Sequence, residues 1–118
     1  MPIKIFGIKN CDSVKKARAW LDSHSIDYRF HDFRTDGLSA AQVQAWVAEL
    51  GWETLINKRS TTWKQLDTAA REALTDESVI DVILAQPTLI KRPLLDTGDQ
   101  RRVGFKAADY AAWFSQSD

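Results

Sequence analysis

The sequence is poor in the residues that build disulfide frameworks and metal sites. Among 118 residues it has one cysteine, Cys11, and two histidines, His24 and His31. One cysteine cannot form an internal disulfide, so we expect a reduced thiol and a cytoplasmic protein. The histidines have no partner ligand at metal-binding spacing, so we expect no metal and no bound cofactor.

The chain also lacks excess charge of one sign and any long hydrophobic run. Its 16 Lys and Arg residues balance 16 Asp and Glu residues, which argues against direct binding of nucleic acid. No run of about 18 apolar residues occurs, and no signal peptide is recognisable, so we expect no membrane association. With 44% hydrophobic residues the chain can build a core. We predict a single domain over residues 1–118 and a monomer.

The first third of the chain has the pattern of a β-α-β unit. Ile3–Phe6 and Tyr28–Phe33 are predicted strands, and the second of them alternates apolar and polar side chains. A helix is predicted from Asp12, because Val14 and Leu21 fall on one helical face. Such a unit implies parallel strands joined by a right-handed crossover.

A helical middle follows. Ser39 and Gln42 have the spacing of a capping box, and Gly51 suits the end of the helix that they begin. Thr75 is predicted to cap a later helix. The segment Trp52–Arg71 has no clear periodicity.

The C-terminal part is predicted to form two strands and a helix. "PTLIKRPLL" (residues 87–95) is predicted to be a strand interrupted by Pro93, and a hairpin is expected around residues 97–99. The predicted fold class is therefore α/β. The order is that of a thioredoxin-like fold, βαβ then ββα, with an inserted helical segment between the halves.

Cys11 lies between the first predicted strand and the first predicted helix. A thiol there faces free backbone N–H groups and the positive end of the helix dipole, and both favour the thiolate. Cysteines so placed have pKa values lowered from about 8.5 to roughly 3.5–7.5. The alternative is a buried structural cysteine, since free cysteine is among the most buried residue types.

The residue three positions after Cys11 is Val14, so the chain has no Cys-x-x-Cys pair. A partner bound to Cys11 as a mixed disulfide cannot be expelled by a second internal thiol. Any redox cycle therefore needs an external thiol, such as glutathione or a second protein.

Two basic turns contain further candidate residues for binding an anionic ligand. Arg59 in "NKRS" and Arg92 in "IKRP" could clamp an oxyanion or a carboxylate, because guanidinium groups bind such ligands through two hydrogen bonds. The alternative is that both are solvated loop arginines.

Five segments together resemble the arsenate reductase/Spx-like (ArsC-like) family of thioredoxin-fold proteins. They are "FGIKNCDSVKKARAWL", "DFRTDGLS", "LINKRSTTWKQL", "PTLIKRPLL" and "RRVGFKAADY". The resemblance runs from Ile3 to about Phe114 and is greatest to the branch described as YffB-like glutathione-dependent thiol reductases.

The resemblance implies a role for each candidate. Cys11 would be the nucleophile, Arg59 and Arg92 would bind the anionic substrate or glutathione, and Pro93 would follow a cis peptide bond. Lys9 and Asn10, in the turn before the cysteine, are predicted to contact the same ligand.

Three departures from the family pattern narrow the function. Gly7 replaces the histidine that precedes the nucleophile in glutaredoxin-linked arsenate reductases, and Phe105 stands where their third arginine is expected. Val14 removes the Cys-x-x-Cys switch of Spx-type regulators. We therefore expect a thiol-dependent reductase that uses glutathione and acts on a mixed disulfide or an oxyanion. The alternative is a non-enzymatic module that contacts RNA polymerase or another protein.

Overall fold

The computed structural model describes residues 3–115, apart from the side chain of Ser115. The strands in this part are β1 (Lys4–Gly7), β2 (Arg29–Asp32), β3 (Leu94–Asp96) and β4 (Arg101–Val103). The helices are α1 (Asp12–Ser23), α2 (Ala40–Leu50), α3 (Trp52–Leu55), α4 (Thr61–Gln65), α5 (Thr68–Glu72), α6 (Ser78–Ala85) and α7 (Ala107–Ser115). The predicted α/β class is confirmed. None of the helices described is long and apolar enough to cross a membrane.

The chain divides into two compact units. Unit 1 contains the residues up to Asp32 and those from Arg92 onward, and unit 2 is Phe33–Lys91. Unit 1 therefore carries all four strands with α1 and α7, and unit 2 carries α2 to α6. The prediction of a single domain over residues 1–118 stays a prediction.

Unit 1 is built on a four-stranded sheet with the order β2-β1-β3-β4. β1 pairs in parallel with β2, and β3 pairs antiparallel with both β1 and β4. The β1-α1-β2 half and the β3-β4-α7 half together give the predicted thioredoxin-like arrangement. The hairpin predicted around residues 97–99 joins β3 to β4 and is confirmed.

The core of unit 1 lies between the sheet and its helices. Helix α1 buries Val14, Ala17 and Leu21, the face that the sequence periodicity predicts. Ile5, Leu95 and Tyr110 join this cluster from β1, β3 and α7. Each fully buried large apolar side chain contributes about 1.5–3 kcal/mol of transfer free energy.

Unit 2 begins with the predicted capping box. The Gln42 backbone N–H donates to Ser39 Oγ at 3.1 Å, and the Ser39 N–H donates to Gln42 Oε1 at 3.2 Å. Gly51 ends α2 with a φ of 83°, a conformation that glycine adopts at low cost. The cap predicted at Thr75 lies two residues too early, because the N-cap of α6 is Glu77. Thr75 Oγ1 nevertheless accepts a hydrogen bond from the N–H of Ser78, the first residue of α6, at 3.1 Å.

The predicted strand over residues 87–95 is wrong in its first part. Pro87–Leu89 form a 3₁₀ turn, and Ile90 pairs in an isolated antiparallel bridge with Ile56 inside unit 2. β3 begins only at Leu94. The apolar residues of this segment therefore pair with two different parts of the chain, which the sequence pattern alone does not distinguish.

Candidate functional site

Cys11 is the N-cap residue of α1, immediately before the first helical residue, as the sequence predicts. Its backbone is extended (φ −107°, ψ 123°), and its carbonyl accepts a hydrogen bond from the Lys15 N–H at 3.0 Å. The thiol is free and partly exposed, and within the described residues it makes no capping hydrogen bond. The sulfur is therefore accessible at the positive end of a 12-residue helix.

Gly7, the last residue of β1, is in close contact with Val14 of α1. A Cβ atom added to Gly7 would lie 2.6 Å from Val14 Cγ2, far inside van der Waals distance. Val14 is fully buried, and its branched side chain has little freedom to move away. The two departures from the family pattern at these positions are therefore packed against each other.

Asp32 is a site residue that sequence reasoning missed. It is 4% exposed at the end of β2, and its Oδ2 accepts a hydrogen bond from the Lys9 backbone N–H at 3.2 Å. Within the described residues it is the one charged side chain that is buried. In "YRFHDF" Asp32 falls on the same strand face as Tyr28 and Phe30, and a carboxylate on that apolar face was the signal that could have found it.

Arg92 and Pro93 precede β3 at the edge of the sheet that also carries the Cys11 turn. This follows from the register, because Phe6 near the end of β1 pairs with Leu94 at the start of β3. The Arg92–Pro93 peptide bond is cis, as the resemblance implies. Pro93 is buried, and its carbonyl accepts a hydrogen bond from the Gly104 N–H at 2.9 Å. Arg92 is partly exposed.

Lys9 and Asn10 are exposed in the turn between β1 and α1. Arg59 belongs to unit 2, where it is exposed and its backbone N–H donates to Asn57 Oδ1 at 3.0 Å. Unit 1 thus brings Cys11, Lys9 and Asn10 to the same sheet edge as Arg92 and Pro93, whereas Arg59 is not part of that unit. The ligand-binding roles of these residues stay predictions.

Phe105, at the position of the family's third arginine, belongs to the core of unit 1. Its ring meets that of Tyr110 edge to face with centroids 4.8 Å apart. The sheet edge therefore receives no guanidinium from this position. No group of three or more His, Cys, Asp or Glu side chains could hold a metal ion in the part of the chain that is described.

The chain has a thioredoxin-like sheet and a partly exposed cysteine at the N-terminus of its first helix. These two features place it in the class of thioredoxin-fold proteins with a candidate reactive thiol. The ArsC family model matches residues 6–113, and the chain belongs to this family. Its fold class and family resemblance, both predicted from the sequence, are thereby confirmed.

Three relatives illustrate the range of the family. The solved YffB (PA3664) protein is 44% identical, with 93% of this chain and 96% of that chain covered and a TM-score of 0.88. An arsenate reductase (ArsC) related protein from Brucella melitensis is 43% identical, with 97% and 95% covered and a TM-score of 0.80. The global transcriptional regulator Spx from Streptococcus pyogenes is 31% identical, covering 97% of this chain and 86% of the regulator.

Proposed function

We propose that the protein is a thiol-dependent reductase in which Cys11 is the nucleophile and glutathione is the reductant. The observation that carries this proposal is the position of Cys11, partly exposed at the N-cap of α1 with no capping bond of its own. Free N–H groups and the helix dipole there favour the thiolate, which is the reactive form of the thiol.

The reaction proceeds by two thiol–disulfide exchanges. The Cys11 thiolate attacks the glutathione sulfur of a mixed disulfide, a Cys11–glutathione disulfide forms, and the substrate leaves as a thiolate. A second glutathione thiolate then attacks the bound glutathione sulfur and regenerates Cys11. In total the mixed disulfide and one glutathione become a reduced substrate thiol and oxidised glutathione. Val14 stands where a second cysteine would be needed to bypass the external thiol.

The remaining candidates would bind the ligand. Arg92 would pair with a carboxylate of glutathione, while Lys9 and Asn10 would contact it from the turn before Cys11. Pro93 would border the bound disulfide. The ligand-binding role of Arg59, which belongs to unit 2, stays a prediction from the family resemblance. No cofactor is needed in this scheme, because electrons come from the glutathione thiol.

A disulfide is a better substrate for this site than an arsenic oxyanion. An oxyanion needs several positive or hydrogen-bonding groups around it. Gly7 and Phe105 supply neither, and Phe105 is committed to packing on Tyr110. We therefore assign mixed disulfides as the principal substrate class and arsenate as a minor one.

The reactivity of Cys11 tests the proposal directly. We expect iodoacetamide to alkylate Cys11 at neutral pH faster than it alkylates the thiol of free glutathione. We also expect a single glutathione adduct by mass spectrometry after exposure to oxidised glutathione, and its release by reduced glutathione. Alkylation no faster than that of free glutathione, without an adduct, would reject the reductase.

Arg92 is the second test, because it is the predicted anion-binding residue within unit 1. Arg92→Ala should slow formation of the glutathione adduct several-fold while leaving alkylation by the uncharged iodoacetamide unchanged. Arg29→Ala is the matched control, since Arg29 is exposed and pairs with Lys4 at the other end of the sheet. Equal adduct rates in the two variants would remove Arg92 from the ligand site.

A second candidate function is a non-enzymatic module that contacts RNA polymerase or another protein. The observation that favours it is the 31% identity to a transcriptional regulator over 97% of this chain. The balanced charge argues against direct binding of nucleic acid, so the contact in this function would be with protein. Capture of purified RNA polymerase subunits at equal strength by the wild type and Cys11→Ser would support this function over the reductase.

A further inference from the structure

The turn that presents Cys11 is held by hydrogen bonds on both sides of the cysteine. On the C-terminal side, the Lys15 N–H donates to the Cys11 carbonyl at 3.0 Å as α1 begins. On the N-terminal side, the Lys9 N–H donates to Asp32 Oδ2 at 3.2 Å. The second bond spans 23 residues of sequence, so it ties the turn to a different strand.

Asp32 is well placed to fix this turn. Gly7, where the turn leaves β1, pairs with Asp32 in the parallel β1–β2 ladder. The carboxylate therefore begins from a backbone position that the sheet itself determines. It is 4% exposed, and a carboxylate so buried keeps its charge only when hydrogen bonds replace its lost hydration.

Burying the Asp32 carboxylate costs desolvation free energy, so we expect this side chain to have a role other than filling space. An apolar residue of similar size would fill the end of β2 without a desolvation penalty, but it would offer no acceptor to the Lys9 N–H. A carboxylate accepts from a backbone N–H more strongly than a neutral oxygen does. What the charged side chain adds at this position is a firm anchor for the turn before the nucleophile.

We propose that Asp32 is a positioning residue for Cys11: its carboxylate holds the Lys9 N–H and thereby fixes the turn that aims the thiol at the α1 N-terminus. This proposal rests on the proposed function, in which Cys11 is the nucleophile. Asp32 itself does not contact the substrate in this scheme. Its effect passes through the backbone of residues 9–11.

Two substitutions separate positioning from charge. Asp32→Asn keeps an oxygen that can accept from the Lys9 N–H but removes the charge, whereas Asp32→Ala removes both. We expect Asp32→Ala to slow the alkylation of Cys11 at neutral pH by up to about tenfold. Asp32→Asn should fall between Asp32→Ala and the wild type, because its neutral oxygen still accepts from the Lys9 N–H but more weakly.

Each other result contradicts the proposal. If both variants speed the reaction equally, Asp32 acts only as a negative charge near the thiol. If both variants slow the reaction equally, the hydrogen bond to an acceptor oxygen at position 32 does not determine the reactivity of Cys11. If neither changes the reaction, the turn does not depend on Asp32, even where the variants unfold more easily.

Amide hydrogen exchange gives a test that needs no folded Asp32→Ala protein. In the wild type the Lys9 N–H should exchange at least tenfold more slowly than that of a free peptide, and Asp32→Asn should retain most of this protection. A Lys9 N–H that exchanges at the free-peptide rate would overturn the proposal. Failure of the reductase is recognised separately, by the absence of a glutathione adduct in the wild type.

Discussion

At the scale of single residues, the contact between Gly7 and Val14 links two features that look independent in the sequence. One position lacks a histidine and the other lacks a cysteine, relative to the family pattern. Because a Gly7 Cβ would lie 2.6 Å from Val14 Cγ2, any side chain at position 7 forces Val14 or the backbone beside it to shift. A histidine at position 7 is therefore accommodated more easily when residue 14 is smaller than valine.

This coupling predicts a double-mutant result. Gly7→Ala should lower the free energy of unfolding by about 1–3 kcal/mol, since overpacking a core contact costs this much. Val14→Ala should also destabilise, by leaving a cavity. The double variant should be more stable than the sum of the two changes predicts, because each relieves the other. Urea unfolding of the four proteins measures the coupling, and strict additivity would contradict the contact.

At the scale of elements, α1 and α2 begin in different ways. Ser39 caps α2 with its hydroxyl, whereas the N-cap of α1 is Cys11, whose side chain makes no capping bond. Serine is among the best N-cap residues because its oxygen accepts from an N–H of the first turn. The N-cap of α1 is therefore a cysteine, which stabilises the helix less than a serine at the same position would.

Exchanging the thiol for a hydroxyl should separate stability from reactivity. Cys11→Ser should raise the free energy of unfolding by about 0.5–1 kcal/mol and abolish the glutathione adduct. Ser39→Ala is the control for the method, and should lower stability by about 1 kcal/mol. Thermal and urea unfolding give the comparison. A Cys11→Ser protein less stable than the wild type would mean that the thiol has a structural role.

At the scale of the whole molecule, Tyr110 connects α7 to the core that stabilises unit 1. Its ring is fully buried and meets Trp20 and Phe105 edge to face. Its hydroxyl is also buried and has no hydrogen-bond partner in the described structure. Burial raises the pKa of Tyr110 well above its usual value of about 10, because the phenolate would lose its hydration.

Global stability at high pH should therefore depend on Tyr110. The raised pKa means that its contribution is fully present below about pH 10 and is lost as the pH rises further, because the unfolded chain then ionises first. The loss amounts to at most about 1.4 kcal/mol per pH unit. Tyr110→Phe should remove this component, and should also gain about 1 kcal/mol at neutral pH by deleting an unsatisfied hydroxyl. Parallel alkaline unfolding curves for the two proteins would contradict this account.

Much of unit 1 could be predicted from the sequence, because its elements have their own local patterns. The face of α1 repeats at helical spacing, and the turn at residues 97–99 has typical hairpin chemistry. The position of Cys11 at the N-cap followed from the strand pattern before it and the helix pattern after it. The capping box at Ser39 in unit 2 was predictable for the same local reason.

The remaining features depend on pairings that local patterns do not specify. Helices α3, α4 and α5 have four or five residues each, too few to show a helical period. Ile90 has the apolar character of a strand residue, but its partner is Ile56 rather than β1. The role of Asp32 required the register that places it beside Gly7.

The pairing of Phe6 with Leu94 also has a consequence for the protein during its synthesis. β1 and the cysteine leave the ribosome early, but one of the two neighbours of β1 is made only near the end of translation. Contacts so distant in sequence form late, since a long loop must close first. A nascent chain that stops before Leu94 therefore lacks β3, one of the two strands that pair with β1. The sheet that presents the Cys11 turn is complete only when translation is almost finished.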